Sequence, residues 1–184
     1  MRVISGVLKG RRLKAPSGMT TRPTADRIKE SVFNILTGSI QDRRVLDLFA
    51  GSGALGIEAL SRGAASAVFV DQAKTAISAV RSNIRNLGLE ARTRVIHWDI
   101  RKNLNCLIPE RAAFDLIFMD PPYETNAVAH TLALLVSCGA LASGARVIIE
   151  HSTREPIAQP MAMLVLRDQR RFGKTLVSFM DTML

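Results

Sequence analysis

The chain has 184 residues, 47% of them hydrophobic, and 25 Lys and Arg against 16 Asp and Glu give a formal net charge of +9. That length suits one domain with a sizeable core and is short for two. The longest apolar stretch, the interrupted segment 131–142, falls short of a bilayer span, and the apolar start before Lys9 is too brief for a secretory signal, so a soluble cytoplasmic protein is expected.

Two cysteines, Cys106 and Cys138, lie far apart with no C-x-x-C or histidine cluster, which points away from a disulfide framework or a zinc site and toward small core residues. The positive charge is concentrated at one end. Residues 1–44 hold ten Lys/Arg and three Asp/Glu, whereas residues 45–184 hold fifteen and thirteen. Lys9, Arg11, Arg12 and Lys14 are closely spaced, followed by Arg22, Arg27, Lys29, Arg43 and Arg44. Such an excess reads as a phosphate-binding footprint, against the blander alternative of a solvated basic face.

In chain order, residues 2–15 alternate apolar and polar side chains around Gly6 and Gly10, which predicts a short hairpin or extended arm. From Thr24, read as an N-cap, a helix is expected, with Ile28, Val32, Phe33 and Leu36 on one face and an end at Gly38. Strands and helices then alternate: strand 45–49, helix 54–62 closed by Gly63, strand 67–70, helix 73–87 capped by Gly88, strand 94–97 and strand 114–119. A helix over 126–137, a strand over 145–150 and an antiparallel hairpin of 163–166 with 175–179 complete the list. This alternation implies a mostly parallel sheet with helices on both faces and a ligand at the carboxyl ends of the strands.

The candidate chemistry clusters at those ends. Asp47-Leu48-Phe49-Ala50-Gly51-Ser52-Gly53-Ala54-Leu55-Gly56 contains G-x-G-x-x-G between a strand and a helix, with Asp71 twenty residues beyond Gly51. A nicotinamide fingerprint has the same form. Asp47 separates the two readings, because a carboxylate before the turn sits badly beside a pyrophosphate and well beside a ligand carrying an amine and a sulfonium, as S-adenosylmethionine does. Singly, Asp47 could be a turn former, Asp71 an N-cap and Asp99 a loop acid with Trp98 packed in the core. His97, His130 and His151 share no spacing that suggests a metal or a triad.

At the end of the apolar run 114–119 stand Asp120, Pro121, Pro122 and Tyr123. An exocyclic nucleobase amine is a poor nucleophile because its lone pair is delocalised into the ring. Acceptors beside its hydrogens localise that pair as charge develops. The Asp120 carboxylate is one such acceptor. The Pro121 carbonyl is the second, its direction restricted by the following proline. The Tyr123 ring is suited to stack on a base removed from its helix. The plain alternative is an Asp-Pro turn with a half-buried tyrosine.

The spacing D-x-F-x-G-x-G resembles the first motif of class I methyltransferases, and D-P-P-Y resembles the signature of amino methyltransferases acting on adenine N6, cytosine N4, guanine N2 or a glutamine amide. The first resemblance implies that Asp47, Phe49, Gly51 and Gly53 hold the methionine part of S-adenosylmethionine, Asp71 the ribose, and Asp99 with Ile100 the adenine. Arg22-Pro23-Thr24 with Asp26-Arg27 and Lys29-Glu30, Phe33-Asn34-Ile35-Leu36, the opening Met1 to Gly6 with Leu8-Lys9-Gly10-Arg11, and Arg171-Phe172-Gly173-Lys174-Thr175 go further. Together they resemble the small-subunit ribosomal RNA guanine-N2 methyltransferases of the RsmD type, in which a tyrosine is expected where Phe172 stands.

That family resemblance implies an α/β class I S-adenosylmethionine-dependent methyltransferase. Its Rossmann-like sheet would be seven-stranded and mostly parallel, with an antiparallel last hairpin. The single domain 1–184 would comprise a basic arm, 1–23, and a catalytic core, 24–184. The implied reaction is methylation of N2 of one guanine in 16S rRNA, guanine 966 in the family's usual numbering, within the small subunit or its assembly intermediate. Lys9, Arg11, Arg12, Lys14, Arg22 and Arg27 would contact RNA, with no metal, no membrane and a monomeric enzyme. Methylation of adenine N6 or of a protein glutamine amide, and nicotinamide-dependent oxidoreduction, are the rival readings.

Overall fold

The computed structural model describes residues 1–18, 23–110, 113–123, 127–157 and 163–183. Strands β1 (Arg44–Leu48), β2 (Ser66–Asp71), β3 (Thr93–His97), β4 (Phe114–Met119), β5 (Leu141–Ser152), β6 (Leu164–Phe172) and β7 (Thr175–Thr182) form one sheet in the order β3-β2-β1-β4-β5-β7-β6. The first five run parallel, and β7 is antiparallel to both β5 and β6. Helices α1 (Pro23–Ile35), α2 (Ala54–Ser61), α3 (Lys74–Leu87) and α4 (Ala127–Ser137) complete the expected alternation.

The central strands are apolar on both faces because both faces are covered. Val45, Phe69, Phe118, Ile148 and Phe179 pack with Phe33 of α1, Leu60 of α2 and Val80 of α3. Their alternate neighbours Leu46, Val70, Ile117, Val147 and Met180 pack with Leu132 and Leu135 of α4 and with Ile100, Leu104 and Leu107. Among the described residues no helix is long and apolar enough to cross a membrane.

Several boundaries differ from the sequence reading. Helix α1 begins at Pro23, so Thr24 is its second residue and not its cap; a proline's fixed φ and missing N–H suit the first helical position. Arg22, just before it, and Asn126, expected to open α4, lie outside the described residues. Strand β6 extends through Arg167, Arg170 and Arg171, whose polar pattern concealed it. An edge strand with a solvated face needs no apolar alternation to pair, and charge there discourages further pairing.

The arm is a closed turn fastened to α2. Val3 N–H donates to the Arg11 carbonyl (3.0 Å), and an antiparallel bridge joins Arg2 to Arg12. Glu58, wholly buried in α2, accepts from the Ile4 and Ser5 amides (2.7 and 3.0 Å) and from Arg62 Nε (2.8 Å). Lys29 Nζ lies 3.8 Å from Glu58 Oε2 and donates to the Arg2 carbonyl (2.7 Å).

Lys29 therefore leaves the phosphate footprint that its sequence neighbourhood suggested, since it is buried and occupied. Arg43 and Arg44 leave it too. They sit at the amino end of β1, away from the strand ends that build the site, and pair with Asp115 and Glu110. Gly6 makes the arm's docking possible, with φ +81 and a position at which any Cβ would overlap the Ser61 carbonyl. We expect Gly6→Ala to destabilise the protein by about 1–3 kcal/mol, read as a lower urea midpoint, because both backbone strain and a steric clash oppose it.

Candidate active site

Three acids stand at the carboxyl ends of three adjacent strands. Asp47, next to last in β1, is buried beneath the start of α2, and its Oδ2 accepts the Gly56 amide (2.9 Å). A Cβ at Gly56 would overlap the Phe69 ring, so only glycine lets the helix come this close. Burial chiefly, with the Asp71 charge adding to it and the Gly56 bond opposing it, pushes the Asp47 carboxyl up to about 8. After Leu48 the chain turns through Phe49 (φ 60), Gly51 (φ 56) and Gly53 (φ 76). A left-handed conformation is strained for phenylalanine and unstrained for the glycines.

Asp71 ends β2 and holds this loop in place, one carboxylate oxygen accepting the Gly51 amide (2.9 Å) and the other the Ala73 amide (2.8 Å). The N-cap of α3 is Ala73, so Asp71 is not the cap that the plain reading offered; its carboxylate bonds the Gly51 and Ala73 amides instead. The Trp98 amide donates to the Asp71 carbonyl (2.9 Å), which keeps the ends of β2 and β3 together. Asp99 follows, paired with Arg101 Nε (3.1 Å), whose guanidinium holds its carboxyl below the ordinary value, and Ile100 is buried. Over Gly51 a side chain would meet only the Phe49 carbonyl, at 3.9 Å, so the loop is open above. Carboxylates at three strand ends around an open glycine turn fit a ligand rich in cationic and hydroxyl donors and repel a pyrophosphate.

The D-P-P-Y segment lies on the other side of β1. Met119 pairs with Ile149, which puts Asp120 and Glu150 in the next rung between β4 and β5. Asp120 is exposed to solvent just past the end of β4. Desolvation raises its carboxyl well above the usual range, and the charges of Glu150 and Asp47 add to the rise. Tyr123 donates its hydroxyl hydrogen to Glu150 Oε1 (2.9 Å) and, having no second one, accepts from Thr175 Oγ1 (3.1 Å). Tyr123 as a whole is 41% exposed. Burial raises the Glu150 carboxyl, and the Tyr123 bond opposes that rise.

Glu150 and Thr175 are not among the candidate site residues named from the sequence; Tyr123 ties both to the lip. His151 is a core group, bonded to the Glu155 carbonyl and to Ser178 Oγ (2.9 Å each), with burial lowering its basicity. Because a carbonyl can only accept, its Nδ1 carries the hydrogen. His97 and His130 likewise bond to the carbonyls of Gln72 and Arg101.

Of the residues expected to contact RNA, Lys9, Arg11, Arg12, Lys14 and Arg27 are exposed, and Arg22 is outside the described residues. Arg27 lines a hollow with Glu30, Asn34 and Arg170 of the edge strand, apart from the arm's cations. The arm and the glycine turn meet at buried Asn83. Its Nδ2 donates to the Lys14 and Ser52 carbonyls (2.9 Å each), and its Oδ1 accepts the Lys14 amide (2.8 Å). A lone asparagine inside an amphipathic helix gave no sequence signal for this link.

This strand order, with an antiparallel β7 and a glycine turn after β1, defines a class I S-adenosylmethionine-dependent methyltransferase fold. The chain belongs to the family described as Conserved hypothetical protein 95, whose model matches residues 1–181. It is 40% identical over 175 residues to "Putative rRNA methyltransferase YlbH" of Bacillus subtilis, covering 95% of either chain. To "Ribosomal RNA small subunit methyltransferase D" of Escherichia coli it is 35% identical over 174 residues, 95% of this chain and 86% of that one. The solved structure "Putative methyltransferase yhhF from Escherichia coli" superposes with a TM-score of 0.85 at 31% identity, covering 99% of this chain and 97% of that one. The RsmD-type resemblance carried by the arm, the R-P-T segment and D-P-P-Y is thus borne out.

Proposed function

We propose that this chain methylates ribosomal RNA of the small subunit from S-adenosylmethionine, at the exocyclic N2 of one guanine, and that residues 1–184 act as one catalytic domain with a docked basic arm. One observation carries the reading: Asp120 follows β4, which lies between β1, carrying buried Asp47, and β5, carrying Glu150. An amine acceptor and a cation-holding carboxylate thus adjoin at one cleft.

The cofactor supplies an electrophilic methyl group; everything else is done by side chains and backbone. Asp47, the Phe49 to Gly53 turn, Asp71 and Asp99 with Ile100 hold it at the strand ends. Asp120 would accept a hydrogen bond from the target amine and the Pro121 carbonyl the other hydrogen, so that the lone pair is localised as positive charge grows on nitrogen; the S–CH3 bond of the donor breaks, leaving a neutral sulfide, and the methylated nitrogen releases one proton to solvent. Pro121 and Pro122 stiffen this lip. Tyr123, its ring anchored through Glu150 and Thr175, offers a stacking face for an extruded base. In-line transfer between two held groups needs positioning and electrostatics from the protein, with no covalent enzyme intermediate.

Small subunits lacking the modification, incubated with labelled S-adenosylmethionine and digested for mass spectrometry, test the reading. N2-methylguanosine, including at guanine 966, supports it; N6-methyladenosine or label in a protein glutamine redirects it.

Asp47 supplies a second test. Because its folded value lies near 8, the carboxyl is largely protonated at pH 6, and a bound sulfonium favours the ionised form. Affinity for S-adenosylmethionine is expected to rise between pH 6 and pH 8, by at most about tenfold per unit, with proton release seen by calorimetry in buffers of different ionisation enthalpy. S-adenosylhomocysteine, which lacks the positive sulfur, should respond less, and Asp47→Asn should respond to neither. Without ligand the sign is opposite. A folded value raised above the unfolded one means stability that is present below about pH 4 and lost as pH rises through about 8.

A further inference from the structure

Most arginines beyond the arm are held by acids: Arg44 and Arg94 by Glu110, Arg101 by Asp99, Arg146 and Arg167 by Asp181, and Arg170 by Asp168. Three cations of α3 differ. Lys74, Arg81 and Arg85, with Ser78, Ser82 and His97, line a groove of about 520 Å³ beside the end of β3, and no carboxylate lines it. Among the described residues none of the three has an ion pair or a side-chain hydrogen bond. Positions 74, 78, 81, 82 and 85 recur at helical spacing, so they form one stripe on the outer face of α3, over the buried Ile77.

This stripe continues the arm. Arg11 Nη2 donates to the carbonyl of Asn86, the residue after Arg85 (2.9 Å), and Lys14 is bonded through its backbone to Asn83. Lys9, Arg11, Arg12 and Lys14 therefore lead onto Arg85, Arg81 and Lys74 without an intervening acid pair. From Lys74 to Arg85 the helix rises about 16 Å at 1.5 Å per residue. That length faces several successive phosphates. Cations left unpaired on one face repel one another and gain most from a polyanion that bridges them, releasing its counterions.

We propose that the α3 groove binds the phosphate backbone of the RNA substrate and extends the arm's contact along the side of the domain. The proposal rests on the reading of the chain as an RNA methyltransferase. Ser78 and Ser82 would donate hydrogen bonds to phosphate oxygens between the cations, contributing register and no base sequence. The groove lies three strands from β4 in the order β3-β2-β1-β4, roughly 14 Å at the usual strand spacing. It therefore grips RNA flanking the target and leaves the cleft to the base.

The full-length double variant R81E/R85E tests this. Both side chains are exposed, so the melting midpoint and affinity for S-adenosylmethionine should match the wild type. Binding to protein-free small-subunit rRNA should weaken at least tenfold at low salt, and the slope of log affinity against log salt should flatten by about 1–2, as expected for two phosphate contacts. In methylation, KM for the RNA should rise while kcat holds, and R81K/R85K should keep the wild-type slope. An unchanged slope and KM overturn the proposal. So does an unchanged slope on bare rRNA with a raised KM on the assembled particle, which assigns the groove to an acidic protein surface. If the wild type transfers no methyl to rRNA while the variant still loses the slope, the active-site reading fails and the phosphate groove stands.

Discussion

Asp120→Ala is expected to lower methyl transfer by at least about 10²–10³-fold, the size of effect seen when one preorganised group that stabilises a developing charge is removed. The carboxyl sits just past the end of β4, beside Glu150 near the end of β5. Its removal leaves the glycine turn, Asp47 and Asp71 untouched, so calorimetry should find S-adenosylmethionine affinity within a few-fold of the wild type. Asp120→Asn separates shape from charge. It keeps a carbonyl acceptor without the charge, so the loss should be smaller than for alanine. Single-turnover transfer of label to unmodified small subunits measures both variants. Wild-type turnover in the alanine variant would remove Asp120 from the chemistry.

Glu58→Ala carries the largest expected cost in stability. It would strip the ion partner from buried Lys29 and largely buried Arg62 and leave the Ile4 and Ser5 amides without their acceptor. Breaking one member of a buried charge network costs about 3–5 kcal/mol because the remaining charges stay desolvated. The expected result is a urea midpoint lowered by that amount at constant m-value. Since Glu58 ties the arm to α2, the same variant should lose RNA affinity and part of its salt dependence, with the cofactor site less affected. A midpoint shift below about 1 kcal/mol would place this network with ordinary surface ion pairs. Glu58→Gln, which keeps an acceptor for one amide, should fall between.

Where local pattern and tertiary environment agree, the fold was legible. The run Phe114–Met119 is apolar throughout because both sheet faces are covered, and its bounds as β4 match the reading to the residue. Helix α3 showed its stripe and its Gly88 cap, which takes the expected left-handed conformation. Strand β6 was half missed, since an edge strand whose outer face meets water carries charges that read as loop. Thr24 was mistaken for a cap because cap propensity is local, while the helix start was set one residue earlier at a proline.

The same division holds for the site. Asp47, Asp71, Asp99 and D-P-P-Y stood out as candidates because each lies at or just past the carboxyl end of a strand, where an open parallel sheet gathers its ligands. Glu150 did not, because its place beside Asp120 across β4 and β5 and its bond from Tyr123, a partner 27 residues away in the chain, come from the fold. The two-part charge balance, basic arm and neutral remainder, concealed the cations of α3, whose neutralising acids are spent on other arginines.

By itself the sequence determined the order of strands and helices and the acids at their ends, and it supplied the D-P-P-Y segment on which the proposed chemistry rests, all of which depend on periodicity and residue type within short windows. Only the tertiary structure decided which charges are free. Lys29 and Glu58 became an internal fastening, Arg43 and Arg44 went to the far end of the sheet, and Lys74, Arg81 and Arg85 remained open to a polyanion. The reason is physical: a charge is worth what its surroundings make it, and an opposite charge within about 4 Å or a loss of water changes that worth by several kcal/mol. Those surroundings come from elements brought together across the sheet.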